Sequence, residues 1–281
     1  DGAQSILNAS TVKIDAKDSA GYAYHASNAA THTRVNANST MEIKANNSQL
    51  AAAEIYGHLT LTSTAAGMAK MSIDAGNSKG KSLYLSYGTA SDLRLTGYGS
   101  GSNGKPSELT IVRGNSEDDA LYVTHNLYTT YGSKLDVRSE SEIGRSIFIR
   151  NRADIYTASS VYAKSNTMDA KDAEDPDNDP DDEEDPGTTP DPGEEEDPEG
   201  EDPTPDGDDS ELFEGDDAAV IYIGSRTRVR QASSIVAEGN GKTPYAIIIR
   251  TSRLYIYENS LLAGTNAKSG IRCYDVRLII G

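Results

Sequence analysis

The sequence predicts an all-β fold: a single-stranded parallel β-helix, a β-solenoid taken as right-handed because that is the commoner hand, with a long disordered acidic insertion. Three observations predict it. Short polar and apolar alternations recur along the chain, a degenerate repeat has an offset of 26 residues, and one stretch of the chain is acidic and proline-rich. Residues 1–167 are expected to form the N-terminal coils, 168–217 the insertion and 218–281 the continuing C-terminal coils.

Composition bears first on the core. The 281 residues include no Trp, two Phe and sixteen Tyr, so the core must be aliphatic. Ser, Thr, Asn, Gly, Ile and Val are abundant in the body and strong helix formers are sparse, which favours short strands between tight turns. Almost no helix is expected. Cys273 is the only cysteine, which excludes an intrachain disulfide; in Ile271-Arg272-Cys273 it reads as a core-facing, buried thiol. No stretch approaches the roughly 18 apolar residues of a membrane helix, and no charged-then-apolar signal opens the chain. Asp1-Gly2 and Ile280-Gly281 begin and end in mid-pattern, so both ends read as cut from something longer.

Charge is distributed unevenly. The formal net charge is −18, yet 25 Asp and Glu, no Lys or Arg, and eight of the ten prolines lie between Asp172 and Asp217. Without that stretch, 26 basic residues face 19 acidic ones, a formal +7. Runs such as Asp175-Pro176-Asp177 and Glu194-Glu195-Glu196-Asp197-Pro198 cannot bury enough apolar surface to offset ordering entropy, so disorder is expected.

The pattern before this stretch resumes after it. Ile149–Ala163, Ile223–Ala237 and Ile249–Ala263 each run from Ile to Ala with Ser three residues before the end, the middle copy slipping by one residue within. A smaller unit, polar-apolar-x-apolar, recurs at Thr11–Ile14, Thr40–Ile43, His58–Leu61, Lys70–Ile73, Asp92–Leu95, Glu108–Ile111 and Lys134–Val137. Alternation over so few residues gives a very short strand with one face inward. Stacked at about 4.8 Å on equivalent strands, each satisfies its backbone and extends an aliphatic column. A β-sandwich, the competing arrangement, needs longer strands and hairpin signals.

The coil Ser269-Gly270-Ile271-Arg272-Cys273-Tyr274-Asp275-Val276-Arg277-Leu278-Ile279-Ile280-Gly281, with Ser133–Val137 and Gly144–Ile147, resembles coils of bacterial right-handed parallel β-helix surface proteins of the carbohydrate-binding-domain and pectate-lyase-like type. The resemblance implies a bacterial, secreted or surface-displayed β-helix. It bears on architecture more than on activity, because that architecture carries lyases, hydrolases and adhesins alike.

Catalysis on such a scaffold needs a proton donor and acceptor stacked on adjacent turns. Asp15 and Asp74 occupy equivalent places, but Lys44 stands at the intervening one, so solvated side chains are expected there. His25, His32, His58 and His125 show no pair at metal-ligand spacing. No metal site, cofactor or catalytic residue is therefore assigned. Asp175, Asp177, Asp179 and Asp181 alternate as in calcium loops, but Pro180 and Pro186 stand where a formed site needs Gly and Glu, leaving weak calcium association by the insertion.

Basic residues carry the sharper pattern. Arg152, Arg226, Arg253 and Arg277 take the same place in four coils, with Arg228, Arg230, Tyr255 and Tyr257 expected on the same outward face. Guanidinium forks bind carboxylates at two points, and tyrosine rings present flat faces to sugars. The plainer reading is arginine that solubilises a strand surface; another has the acidic insertion cover the ladder. The expected function is a non-catalytic adhesin or polysaccharide-binding module taking acidic or host-cell glycans. End-to-end structural assembly and a polysaccharide lyase or hydrolase are the alternatives. Nucleic acid is excluded as the expected partner by the charge of the chain, and membrane insertion by the absence of a span.

Overall fold

The computed structural model describes residues 4–87, 91–99, 103–168, 218–250, 253–274 and 277–280. The acidic stretch from 169 to 217, and the calcium association expected of it, lie outside the described residues. Among the described residues there is no α-helix, and 23 strands pair in parallel.

The strands form three stacked columns. The first holds β7 (Leu83–Leu85), β10 (Leu121–Val123), β13 (Ile147–Ile149), β16 (Ala219–Ile223), β19 (Tyr245–Arg250) and β22 (Ser269–Tyr274). The second begins at β1 (Gln4–Leu7) and later holds β8 (Leu93–Thr96), β11 (Leu127–Thr130), β14 (Ala153–Ile155), β17 (Thr227–Val229), β20 (Arg253–Ile256) and β23 (Arg277–Ile280). Long strands β3 (Tyr24–Asn36) and β5 (Ala53–Thr62) contribute to both, so that β5 pairs with β7 through Ala53–Ile55 and with β8 through Leu59–Thr62. The third column is a separate sheet of β2 (Thr11–Asp15), β4 (Ser39–Lys44), β6 (Ala69–Asp74), β9 (Glu108–Arg113), β12 (Lys134–Ser139), β15 (Ser160–Lys164), β18 (Ser234–Glu238) and β21 (Leu261–Thr265). The chain visits the columns in the same order coil after coil, the arrangement of a β-solenoid.

Period-two alternation explains the core. All seven polar-apolar-x-apolar units place their apolar pairs in strands, five in the third column and two in the second. Their apolar pairs point inward, and apart from those of β2 they are almost fully buried. Leu59, Leu93 and Leu127 stack in register in the second column, as do Leu121, Ile147, Ile221 and Ile247 in the first. Each such side chain removed from water contributes about 1.5–3 kcal/mol. A serine column, Ser107, Ser133, Ser159 and Ser233, runs buried along the corner between the second and third columns. There the Ser159 amide donates to Ser233 Oγ, and the Ser233 amide to Ser260 Oγ.

Register is kept across residues 169–217. Ile147 lies opposite Ile221, Ala153 opposite Thr227 and Val161 opposite Ile235, each pair 74 residues apart, whereas Ile221 lies opposite Ile247, 26 residues on. Three details of the sequence reading change. The one-residue slip falls in the Ile249 copy: Ile223 pairs with Ile249 at an offset of 26 but Thr227 pairs with Leu254 at 27. Ser260 consequently aligns with Ser233 and Ser159, not with Ser234 and Ser160. Cys273 occupies the inward column, opposite Ile249, but is exposed because no described strand stacks on β22.

Candidate functional site

The three outward surfaces differ in charge and covering. On the third column, opposite charges pair across or along strands: Lys13 with Glu42 at 2.9 Å, Lys70 with Glu108 at 3.0 Å, Arg138 with Asp136 at 2.9 Å and Lys164 with Glu238 at 2.8 Å. Lys44 stands between Asp15 and Asp74 in register, so those carboxylates form no adjacent pair. Such a surface largely neutralises itself.

The first column carries an outward aromatic ladder that the sequence reading did not anticipate. Tyr84, Tyr122, Phe148 and Tyr222 follow one another on successive coils, with ring centroids 5.4, 4.4 and 5.0 Å apart. Lys81 lies over Tyr84 and Tyr122 and Arg145 over Phe148 and Tyr222; Asp118 and Asp119 hold the two cations. Phe148 and Tyr222 are buried, so this face is packed rather than open to a ligand.

The second column is cationic and accessible. Its first outward row begins with His32, His58, Asp92 and Asn126 and continues with Arg152, Arg226 and Arg253, each immediately preceding the inward residue of its coil. The next row runs from Arg34, Thr60 and Arg94 through Tyr128 and Asp154 to Arg228 and Tyr255. Arg230 and Tyr257 lie one step further along their strands. The two carboxylates in these rows, Asp92 and Asp154, are each only 4% exposed, so the accessible formal charge here is positive.

Arg152, Arg226, Arg228, Arg230 and Arg253 thus share one surface. Arg228 lies over Tyr255 at 5.5 Å, and Arg230 over Tyr255 at 5.7 Å and Tyr257 at 4.8 Å. The Tyr156 hydroxyl and, with it, nearby Asp154 favour the charged form of Arg228, although burial opposes it. Arg152 donates through Nε to the Tyr128 hydroxyl at 3.0 Å, lies 3.6 Å from Asp154 and packs over the Tyr128 ring, which Arg94 also covers. The Nε atoms of Arg226, Arg228 and Arg230 are shielded from solvent without a hydrogen-bond partner. Arg253 is exposed, and the backbone of Arg277 lies opposite it; the Arg277 side chain is outside the described residues.

Sequence reasoning missed the N-terminal end of this surface. Asp92 accepts hydrogen bonds from Arg94 Nη2 at 2.6 Å and from Asn126 Nδ2 at 2.9 Å, and lies 2.7 Å from His125 Nδ1. His58 Nδ1 accepts the Asp92 amide at 3.2 Å, and the His58 ring lies 4.6 Å from that of His32. Burial pushes the Asp92 carboxyl up, but the bonds from Arg94, His125 and Asn126 outweigh it and hold the group below the usual carboxylate range. Burial lowers His32, as do Arg34 and Arg94; it also lowers His58, where Asp92 opposes the shift and His32, Arg94 and His125 add to it. Among the described residues no three His, Cys, Asp or Glu side chains converge as a metal site. His58 and Asp92 both open a polar-apolar-x-apolar unit, so stacking those units was the signal that would have brought them together.

Comparison with family models, curated proteins and solved structures gave no match to this chain.

Proposed function

We propose that this chain is a non-catalytic module of a secreted or surface-displayed bacterial protein, a right-handed β-helix that binds acidic polysaccharide along its second column. The observation that carries this reading is the interleaving of Arg228 and Arg230 with Tyr255 and Tyr257 on adjacent coils. Strands repeat at about 4.8 Å, of the order of one hexose unit, so a glycan lying along the axis meets an equivalent position on each coil. Guanidinium groups take its carboxylates or sulfates, tyrosine rings its flat sugar faces, and weak contacts add along the chain. Right-handed winding is the hand favoured by the twist of parallel strands.

A glycan-array screen with and without calcium, on the intact chain and an Arg230→Ala/Tyr255→Ala variant, tests the reading. Selective binding of acidic glycans that falls in the variant supports it; no binding by the intact chain rejects it.

One observation favours a second reading, a polysaccharide lyase. His32 and His58 line a groove together with Arg34 and Arg94, imidazole bases and cations within one substrate-sized space. A hydrolase fits less well, since it needs a pair of accessible carboxylates and the two in these rows, Asp92 and Asp154, are buried. Appearance of unsaturated products from uronate polymers would favour the lyase.

A further inference from the structure

The groove at the N-terminal end of the second column contains more cationic and donor groups than a solubilising surface requires. It encloses about 450 Å³ and is lined by His32, Arg34, His58, Thr60 and Arg94, with Asn36 and Thr62 at its side. Arg34, Thr60 and Arg94 are directly in register on β3, β5 and β8, so two guanidinium-bearing residues stand two strands apart, about 9.6 Å between backbones, with a hydroxyl between them. His32 and His58, also in register, border that row. No carboxylate lines the space.

The electrostatics follow from the partners. Asp92, the nearest acid, has a side chain only 5% exposed and its oxygens engage Arg94, His125 and Asn126. It orients Arg94, whose guanidinium also packs over Tyr128 at 4.8 Å, and offsets that one cation, leaving Arg34 and the imidazoles to charge the groove. Arg34 has no ion-pair partner among the described residues, and its neighbour on β1 is the apolar Ile6. His32 faces Arg34, His58 and Arg94; His58 faces His32, Asp92, Arg94 and His125. An entering anion would be met by two fixed cations and two imidazoles that become cations when protonated.

We infer that this groove binds a compact oxyanion carrying two negative charges, of the sulfate or phosphate class, and that protonation of His32 and His58 controls its occupancy. The groove and the Arg228 to Tyr257 surface occupy different coils, so the inference stands without the polysaccharide reading. Anion binding favours imidazolium and therefore takes up protons, which makes affinity rise as pH falls. With two participating imidazoles the logarithm of the association constant changes by up to about 2 per pH unit.

Inorganic sulfate is the probe, because it remains a dianion between pH 5 and 8 where phosphate itself titrates. Titration of the full chain at constant ionic strength, followed by imidazole and guanidinium resonances, is expected to shift His32, His58, Arg34 and Arg94. Binding should be at least ten-fold tighter at pH 5.5 than at pH 8. Arg34→Gln should weaken binding at least ten-fold with an unchanged melting temperature, and His32→Gln should reduce the pH dependence while leaving binding at pH 8 in place. Glucose-6-sulfate, a monoanionic sulfate ester, distinguishes one charge from two; binding it as tightly as inorganic sulfate rejects the dianion assignment. Shifts confined to Arg228 and Arg230, or sulfate binding that does not vary with pH, overturn the inference, whereas loss of polysaccharide binding with sulfate binding intact rejects only the preceding proposal.

Discussion

His125 Nδ1 lies 2.7 Å from Asp92 Oδ1, joining residues that are 33 positions apart in the chain and one coil apart in the solenoid. The same carboxylate holds Arg94 and Asn126, so three side chains depend on one buried charge. Asp92→Asn keeps the shape but loses the charge-assisted bonds, and should cost about 1–3 kcal/mol in urea denaturation at pH 7. A carboxyl whose folded-state ionisation lies below its unfolded value adds stability above the usual carboxylate range and loses it as pH falls through the folded-state value. The wild type should therefore lose stability below about pH 4, and the Asp92→Asn variant should lose less over that window.

Tyr255 lies against both Arg228 and Arg230, which makes its ring rather than its hydroxyl the predicted contributor to ligand contact. Tyr255→Phe should keep acidic-glycan affinity within about two-fold, while Tyr255→Ala should weaken it by about five-fold or more, matching about 1 kcal/mol of lost aromatic contact. Isothermal titration at two salt concentrations checks this, since affinity should also decline as salt screens the arginines.

The direct stacking of β13 to β15 on β16 to β18 predicts that residues 169–217 can be replaced by one or two glycines. Glu238 to Tyr245 spans seven residue steps, and Lys164 and Ala219 hold the equivalent positions one coil earlier. A deletion leaving a comparable link should retain the β-sheet circular dichroism and cooperative melting of the intact chain. Loss of cooperativity would show that the stretch contributes to folding.

Ile221 sits almost fully buried between Ile147 and Ile247 in the column that bridges that deletion. Ile221→Ala should cost about 2–5 kcal/mol, because the stacked coils above and below cannot collapse into the space without breaking register. Chemical denaturation checks the cost.

The turns between the second and third columns place non-glycine residues at positive φ. Thr157 and Ala158 have φ of 55° and 57°, Gln231 and Ala232 both 57°, while the corresponding turn of the preceding coil has Gly132 at 72°. Ala158→Gly and Ala232→Gly should each raise stability by up to about 1 kcal/mol, the relief of left-handed strain less the added entropy of the unfolded chain. Thermal melting of the single and double variants measures it.

By itself the sequence determined the short parallel strands, their inward faces and the resumption of the pattern after residue 217, because alternation is a local property and each coil repeats it. It also placed Arg152, Arg226 and Arg253 in one row, since the repeat carries position as well as composition. Tertiary structure alone decided which rows pack and which stay open. Phe148 and Tyr222 of the aromatic ladder point outward and are nevertheless buried, which alternation does not encode. The association of His58, Asp92 and His125 likewise depends on coils of unequal length: His58 to Asp92 is 34 residues, whereas Asn126 to Arg152 is 26. Local spacing does not reveal such neighbours when loops vary between coils, because the backbone hydrogen bonds of the stacked strands, not the count of residues between them, set which side chains meet.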